Sequence, residues 1–480
     1  MTFVRHELAE SSEEKKVLKS SQGEGGLLVR LGILLADWVE HWFPDPLVFA
    51  WVAIVIVFVA GVSLGSSPRD MIKNFGNGFW ELTPFTMQMA MIIIGGYVVA
   101  SSPPIARVIR WLAAVPRSPR GAVGLIAFFA TVTSLLSWGF SLIFSALLVR
   151  EVVQKIRGID YRAASAAAFL GLGSVWALGI SSSSALMMAT RGSIPAELLK
   201  IGGVIPLTRT IFTWQSIVTA ILLVVVSVSV AYFSAPVSSA KTAETFGVKF
   251  EAPPSVSAKP GSPGEWLESN GSLTIVIGAM GFCYLVQVFL ARGPLAGLDL
   301  NTYNFLFLMI GMLLHWTPRR FMRAVSASVP ATAGVLIQFP FYAGIFGMMT
   351  KSSISTQLAH FFVRISTPSS YPILVAAYSA ILGLFVPSGG SKWLIEAPYV
   401  LAGANQLHVN LGWIVQIYNT AEALPNLVNP FWMLPLLGLL HIRARDIVGY
   451  TVLQFMINLP LVLFLMWLFA RTLPYTPPQL

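Results

Sequence analysis

The sequence predicts an all-α polytopic membrane protein built from two inverted-topology repeats, each holding a re-entrant hairpin and a broken transmembrane helix. Three observations lead there. Hydrophobic residues make up 55% of the 480 residues and charged residues only 11%, whereas a soluble chain carries about 25% charged residues. Apolar runs of about twenty residues, the length that crosses a bilayer, recur from Leu47 onward, and mean hydropathy is +0.72. Basic residues cluster between these runs in an order that assigns their sides. Such a composition excludes a soluble enzyme, a secreted module and a disordered protein.

Taken in order, residues 1–30 are polar and of mixed charge, too long and too acidic for a signal-peptide n-region, and read as a tail kept in the cytoplasm. Asp37, Glu40 and His41 read as an interfacial helix face. The first membrane repeat is expected over 31–233, with crossings at 47–65, 82–100, 163–190 and 211–233. Residues 234–270, with Pro253, Pro254, Pro260, Pro263 and several serines, read as a linker loop. A connecting helix follows at 271–292, and the second repeat spans 293–480, with crossings at 301–316, 326–350, 411–440 and 447–470.

Two apolar stretches, 121–150 and 371–400, are too long for one crossing and carry polar, glycine-rich interruptions. Arginines at 107, 110, 117 and 120 precede the first, and Arg150, Lys155, Arg157 and Arg162 follow it. Both its ends therefore belong on the cytoplasmic side, which a re-entrant hairpin satisfies and a single crossing does not. Arg319, Arg320 and Arg323 precede 326–350, so the hairpin at 371–400 opens from the other face. Gln88 and Gln338 lie 250 residues apart in similar apolar segments, and the same offset carries Trp138-Gly139 onto Ser388-Gly389. Opposite direction with matching pattern is the mark of an inverted repeat. Arg191, Lys200 and Arg209 fall outside in this scheme and stand against it.

The net charge of +10 is thus absorbed by membrane orientation, and no nucleic-acid partner is expected. Cys283 is alone, in an apolar run that suggests lipid or core packing, and cannot form an internal disulfide. Six histidines show no metal-ligand spacing, so no resident metal or cofactor is expected. No nucleophile stands beside a histidine in sequence, which argues against an enzyme.

Inside a bilayer a broken helix persists only where it is packed in protein or lines a cavity. Four breaks qualify, two per repeat: Ser137–Ser141, Gly179–Ser184, Pro387–Ser391, and Glu422–Asn426 continuing through Asn429-Pro430. Glycine lets the backbone approach a ligand, hydroxyl and amide oxygens coordinate a small cation, and half-helix N-termini attract an anion. That combination suits a carboxylate and a coupling ion. Expected substrate-binding residues are Ser137, Trp138, Gly139, Ser181, Ser183, Ser388, Gly389, Gly390, Lys392 and Asn426. Expected coupling-ion residues are Ser137, Glu422, Asn426 and Asn429. Lys392 would attract the carboxylate, with Glu396 at i+4 tuning it or carrying a proton. Small-residue packing between helices is the structural alternative for the breaks, and mutual neutralisation is the alternative for the charged pair.

These residues resemble those of the short-chain fatty acid transporter family, bacterial inner-membrane proteins of the ion transporter superfamily. The resemblance runs from about Trp42 to Phe469. It is carried by Phe43-Pro44-Asp45-Pro46-Leu47, Gly78-Phe79-Trp80, Met87-Gln88-Met89-Ala90, Trp138-Gly139-Phe140, Arg150-Glu151, the run Gln338–Ile345, Val386-Pro387-Ser388-Gly389-Gly390, and Asn429-Pro430-Phe431-Trp432. It implies a secondary transporter with a scaffold domain and a moving, elevator-like transport domain, dimeric, taking up butyrate, acetoacetate or similar acids with Na+ or H+. The chain departs from the family pattern at Ser137–Ser141, over Ser391–Pro398, and at Ala423-Leu424-Pro425. Other readings of the same architecture are a carrier or exporter of another organic anion, such as a dicarboxylate, and a passive anion channel.

Overall fold

The computed structural model describes residues 46–236, 240–248, 261–294, 297–386, 388–429 and 431–479. The tail at 1–30, the face of Asp37, Glu40 and His41, part of the linker, Pro387 and Pro430 lie outside these residues. Every regular element among the described residues is helical. Among the described residues seven helices are long and apolar enough to cross a membrane, and three shorter ones are similarly apolar. The chain is therefore an integral membrane protein by length and composition.

The long stretch at 121–150 folds as two helices, Pro119–Leu136 and Trp138–Lys155, and the stretch at 371–400 as Tyr371–Phe385 and Gly389–Gln406. Both pairs are antiparallel. Phe129 packs on Phe144, and Ser141 Oγ donates to the Ala130 carbonyl at 2.7 Å. In the second hairpin, Tyr371 Oη donates to the Val400 carbonyl at 2.7 Å and Tyr378 meets Tyr399 at 2.9 Å.

The crossing expected at 163–190 unwinds in its middle. Helix Tyr161–Leu170 widens into a π-turn at Gly171–Val175, tightens at Trp176–Leu178, and resumes only at Ser183–Ala189. Its counterpart runs Leu411–Ala423, tightens at Leu424–Leu427, and resumes at Leu434–Leu440.

Several segments differ from the hydropathy reading. The expected crossing at 326–350 begins only at Ala333; before it lie an amphipathic helix, Pro318–Ser328, and a tight turn, Val329–Thr332. Amphipathic helices also fill Pro68–Phe79, Pro103–Leu112 and Ile354–Ile365, where one face is charged and the average hydropathy is low. Pro68–Phe79 starts at Ser67, whose hydroxyl accepts from the Asp70 amide. It then packs on Ala333–Thr350 backbone to backbone: a β-carbon on Gly78 would stand 2.7 Å from the Ala343 carbonyl, and one on Gly347 2.5 Å from that of Asn74. Small residues bring helices this close where water supplies no driving force between them. The linker is not a free loop throughout. Its described part holds helix Pro263–Ser269, and the Lys241 carbonyl accepts from the Tyr161 amide at 2.8 Å. Cys283 is exposed on the connecting helix Ser272–Arg292.

Polar contacts sort the connections into two ends. At one end Lys155 Nζ donates to the Arg110 carbonyl (2.6 Å), Arg120 Nε to that of Ala235 (3.1 Å), and Tyr161 Oη to that of Leu440. Both ends of the first hairpin thus lie together. At the other end Asn405 Nδ2 donates to the Ile201 carbonyl (2.9 Å), Asn410 Nδ2 to that of Pro474 (2.7 Å), and Gln215 Nε2 to Thr472 Oγ1 (2.9 Å). Helix Trp214–Ser234 joins the two ends. The second hairpin has its Gln406 end in this second group.

Candidate functional site

The two helix pairs stop short because their turns are made by small polar residues whose backbone groups are satisfied from elsewhere. At the first turn Ser137 is extended, and its Oγ accepts from the Phe140 amide at 3.3 Å, capping Trp138–Lys155. The first broken helix completes the turn. Ser181 Oγ accepts from the Trp138 amide at 3.1 Å, and the Ile180 amide donates to the Leu135 carbonyl at 2.8 Å. Only glycine fits at 179, since a β-carbon there would lie 2.1 Å from the Leu135 carbonyl oxygen. At the second turn Asn429 Nδ2 donates to the Leu384 carbonyl at 3.0 Å. In each half a residue of the broken helix, 45 positions downstream, satisfies a terminal carbonyl of the hairpin's first arm.

The second turn is bare at its helix start. Ser388 Oγ donates to Ser391 Oγ at 2.9 Å and caps no amide, so Gly389–Gln406 opens without a side-chain cap. Unfilled amides at a helix start favour negative charge.

All four breaks meet at one small cavity, with about 30 Å³ of room for the centres of water-sized molecules. The hairpins contribute Trp138, Ser388, Gly389 and Gly390; the broken helices contribute Leu172, Trp176, Ser183 and Asn426. Met89, Val335 and Phe339 close the side formed by Thr83–Ala100 and Ala333–Thr350, together with Trp432. Three pairs of lining residues share the 250-residue offset: 89 and 339, 138 and 388, 176 and 426.

Six of the expected site residues line this cavity: Trp138, Ser183, Ser388, Gly389, Gly390 and Asn426. The others stand behind its wall. Ser137 and Ser181 are buried in the first turn, and Gly139 faces the Ile92 carbonyl, 3.2 Å from where its β-carbon would be. Asn429 reaches the second turn. Trp176, Leu172, Met89, Val335, Phe339 and Trp432 line the cavity without having been expected there. Their signal was available for Trp176, which is offset by 250 from Asn426.

Lys392, expected to attract the carboxylate, has no exposed surface and is not among the residues lining the cavity. Its Nζ pairs with Glu396 Oε1 at 3.3 Å, donates to the Ser379 carbonyl at 2.7 Å, and lies 4.7 Å from the Tyr418 ring centroid. Ser379 Oγ donates to Glu396 Oε2. A cation engaged in this way is not free for a ligand.

Glu422 is equally buried, and neither carboxylate oxygen has a hydrogen-bond partner among the described residues. One of those oxygens lies 3.0 Å from where a β-carbon on Gly389 would be, directly behind the cavity wall. The cluster therefore holds one cation and two carboxylates. Asn426 Oδ1 is also buried without a partner among the described residues. No group of three or more metal-binding side chains occurs among the described residues.

Comparison with known proteins places these features. A relative from Escherichia coli (strain K12), provisionally named a short-chain fatty acid transporter, is 36% identical over 434 residues, 89% of this chain and 96% of its own length. One from Haemophilus influenzae (strain ATCC 51907 / DSM 11121 / KW20 / Rd), named in the same provisional way, is 33% identical over 446 residues, 91% of this chain and 98% of its own. The YdaH transporter of Alcanivorax borkumensis, whose crystal structure is described as revealing an unusual topology, shares the fold with a TM-score of 0.57. It is 14% identical, with 89% of this chain and 98% of that one covered. The profile of the family described as "Short chain fatty acid transporter" matches residues 27–469. That family is one of transporters, not enzymes, and the protein belongs to it.

Proposed function

We propose that the protein takes up short-chain monocarboxylates, such as butyrate or acetoacetate, by secondary active transport coupled to one monovalent cation, Na+ or H+. The convergence of all four helix breaks on a single cavity carries this reading. A substrate carboxylate would meet the uncapped start of Gly389–Gln406, and its short alkyl chain would lie against Met89, Leu172, Val335 and Phe339. The charge count supplies the coupling. Lys392 and Glu396 neutralise each other, leaving Glu422 behind the wall; an anion beside it repels an ionised Glu422 in a medium of low dielectric. One cation at Glu422 removes that repulsion, and the unpartnered oxygens of Glu422 and Asn426 are its natural ligands. Ser137 and Asn429 act behind them, as turn supports.

The two-ended arrangement of contacts and the 250-residue pairing of lining residues support an inverted repeat, with the hairpins re-entrant from opposite sides. On the positive-inside rule the end holding Arg110, Arg120 and Lys155 is cytoplasmic, with the N-terminus on the same side and the protein in the bacterial inner membrane. The hairpins and broken helices would move as the transport domain of an elevator within a homodimer. Uptake of labelled butyrate into proteoliposomes tests the reading: saturable uptake, blocked by acetoacetate, is expected. Flux that never saturates and ignores ion gradients identifies a passive channel instead.

A further inference from the structure

Two indole groups at the cavity have an unused hydrogen bond each. Trp138 follows the first hairpin turn and Trp176 lies in the unwound part of the first broken helix. Both line the cavity, both are more than nine-tenths buried, and the Nε1–H of each has no partner among the described residues. Their rings meet edge to face with centroids 6.4 Å apart. A buried donor left unpaired costs stability unless a ligand fills it, and two such donors from adjacent rings at one cavity match the two oxygens of a carboxylate. The cationic alternative is absent from the wall, because Lys392 is committed to Glu396 and the Ser379 carbonyl.

We infer that Trp138 and Trp176 are substrate-binding residues whose indole N–H groups receive the substrate carboxylate as neutral donors, beside the uncapped start of Gly389–Gln406. This rests on the transport reading above and deepens it. Neutral donors bind the anion without cancelling its charge, and the cation at Glu422 removes only the carboxylate charge beside it.

The test is equilibrium binding of labelled butyrate to the purified full-length protein, at fixed pH and sodium. Trp138 and Trp176 are each replaced by phenylalanine and, separately, by β-(3-benzothienyl)alanine, which keeps the bicyclic ring and puts sulfur where the N–H was. Thermal unfolding of each variant checks the fold, and Trp111→Phe, at an exposed position, serves as the control. Loss of a donor to a charged group is expected to raise the butyrate Kd about tenfold or more at either position, in both kinds of replacement. Benzothienyl variants that fold and bind within about twofold of the original affinity overturn the inference while leaving transport intact. Should the unaltered protein bind no monocarboxylate, the transport reading itself falls, and this one with it.

Discussion

A carboxylate oxygen of Glu422 lies 3.0 Å from the point where Gly389 would carry a β-carbon. Gly389 lines the cavity, and behind it stands an acid without a hydrogen bond among the described residues. The Tyr418 hydroxyl holds the same peptide from behind by donating to the Gly389 carbonyl at 2.6 Å. Glycine at 389 is what lets the helix start, the cavity and Glu422 coexist.

Gly389→Ala is therefore expected to impair transport more than expression. The added carbon would meet the Trp176 ring at 2.6 Å as well as Glu422, and overpacking of that kind costs about 1–3 kcal/mol. Gly389→Val is expected to abolish uptake. Membrane abundance by immunoblot and butyrate uptake by vesicles check the separation, and unchanged uptake in Gly389→Val removes this turn from the site.

Glu422→Gln keeps the shape and deletes the charge. Gradient-driven accumulation is expected to disappear while exchange of internal for external butyrate continues, since the cation is needed only for net movement. Thermal stability is expected to hold or rise, because the glutamine relieves an unpaired buried charge. Accumulation at the original level in this variant contradicts the assignment of coupling to Glu422.

Much of this site was legible in the chain. The breaks at 137–141, 179–184, 387–391 and 422–430 were visible because glycine, serine and proline interrupt apolar runs, a signal that is local in sequence. Which face a side chain takes is not local. Lys392 stands three residues after Gly389, yet the turn of the helix carries it to the Glu396 and Ser379 side, and the pattern of polar residues could not distinguish the two faces. Trp176 escaped notice for a different reason: the helix unwinds from Gly171, a full two turns before the polar run at 181–184. The amphipathic helices at Pro68–Phe79 and Pro318–Ser328 were hidden by averaging, since hydropathy summed over both faces reads as a loop.

The buried pair gives a stability prediction that is independent of transport. Lys392→Met or Glu396→Gln alone strands a charge or its partner and is expected to cost about 3–5 kcal/mol, seen as a lower unfolding temperature and poor yield. The double variant Lys392→Met, Glu396→Leu is expected to recover most of that loss and to retain butyrate uptake, because neither side chain reaches the cavity. A double variant that is stable but inactive returns Lys392 to the binding site.

Ser181→Ala removes the acceptor of the Trp138 amide and leaves that N–H buried. The expected cost is about 1–3 kcal/mol, with butyrate affinity reduced because the turn that positions Trp138 loosens. Thermal unfolding and butyrate binding, measured on the same preparation, check both halves of this expectation.

The most direct test is accumulation of labelled butyrate in proteoliposomes under a proton gradient and a sodium gradient imposed separately, with Glu422→Gln in parallel. Concentrative uptake driven by one of the two gradients, and lost in Glu422→Gln, is the predicted result and identifies the coupling ion. Butyrate that enters folded protein only down its own gradient, equally well with and without Glu422, would contradict cation-coupled transport at this cavity.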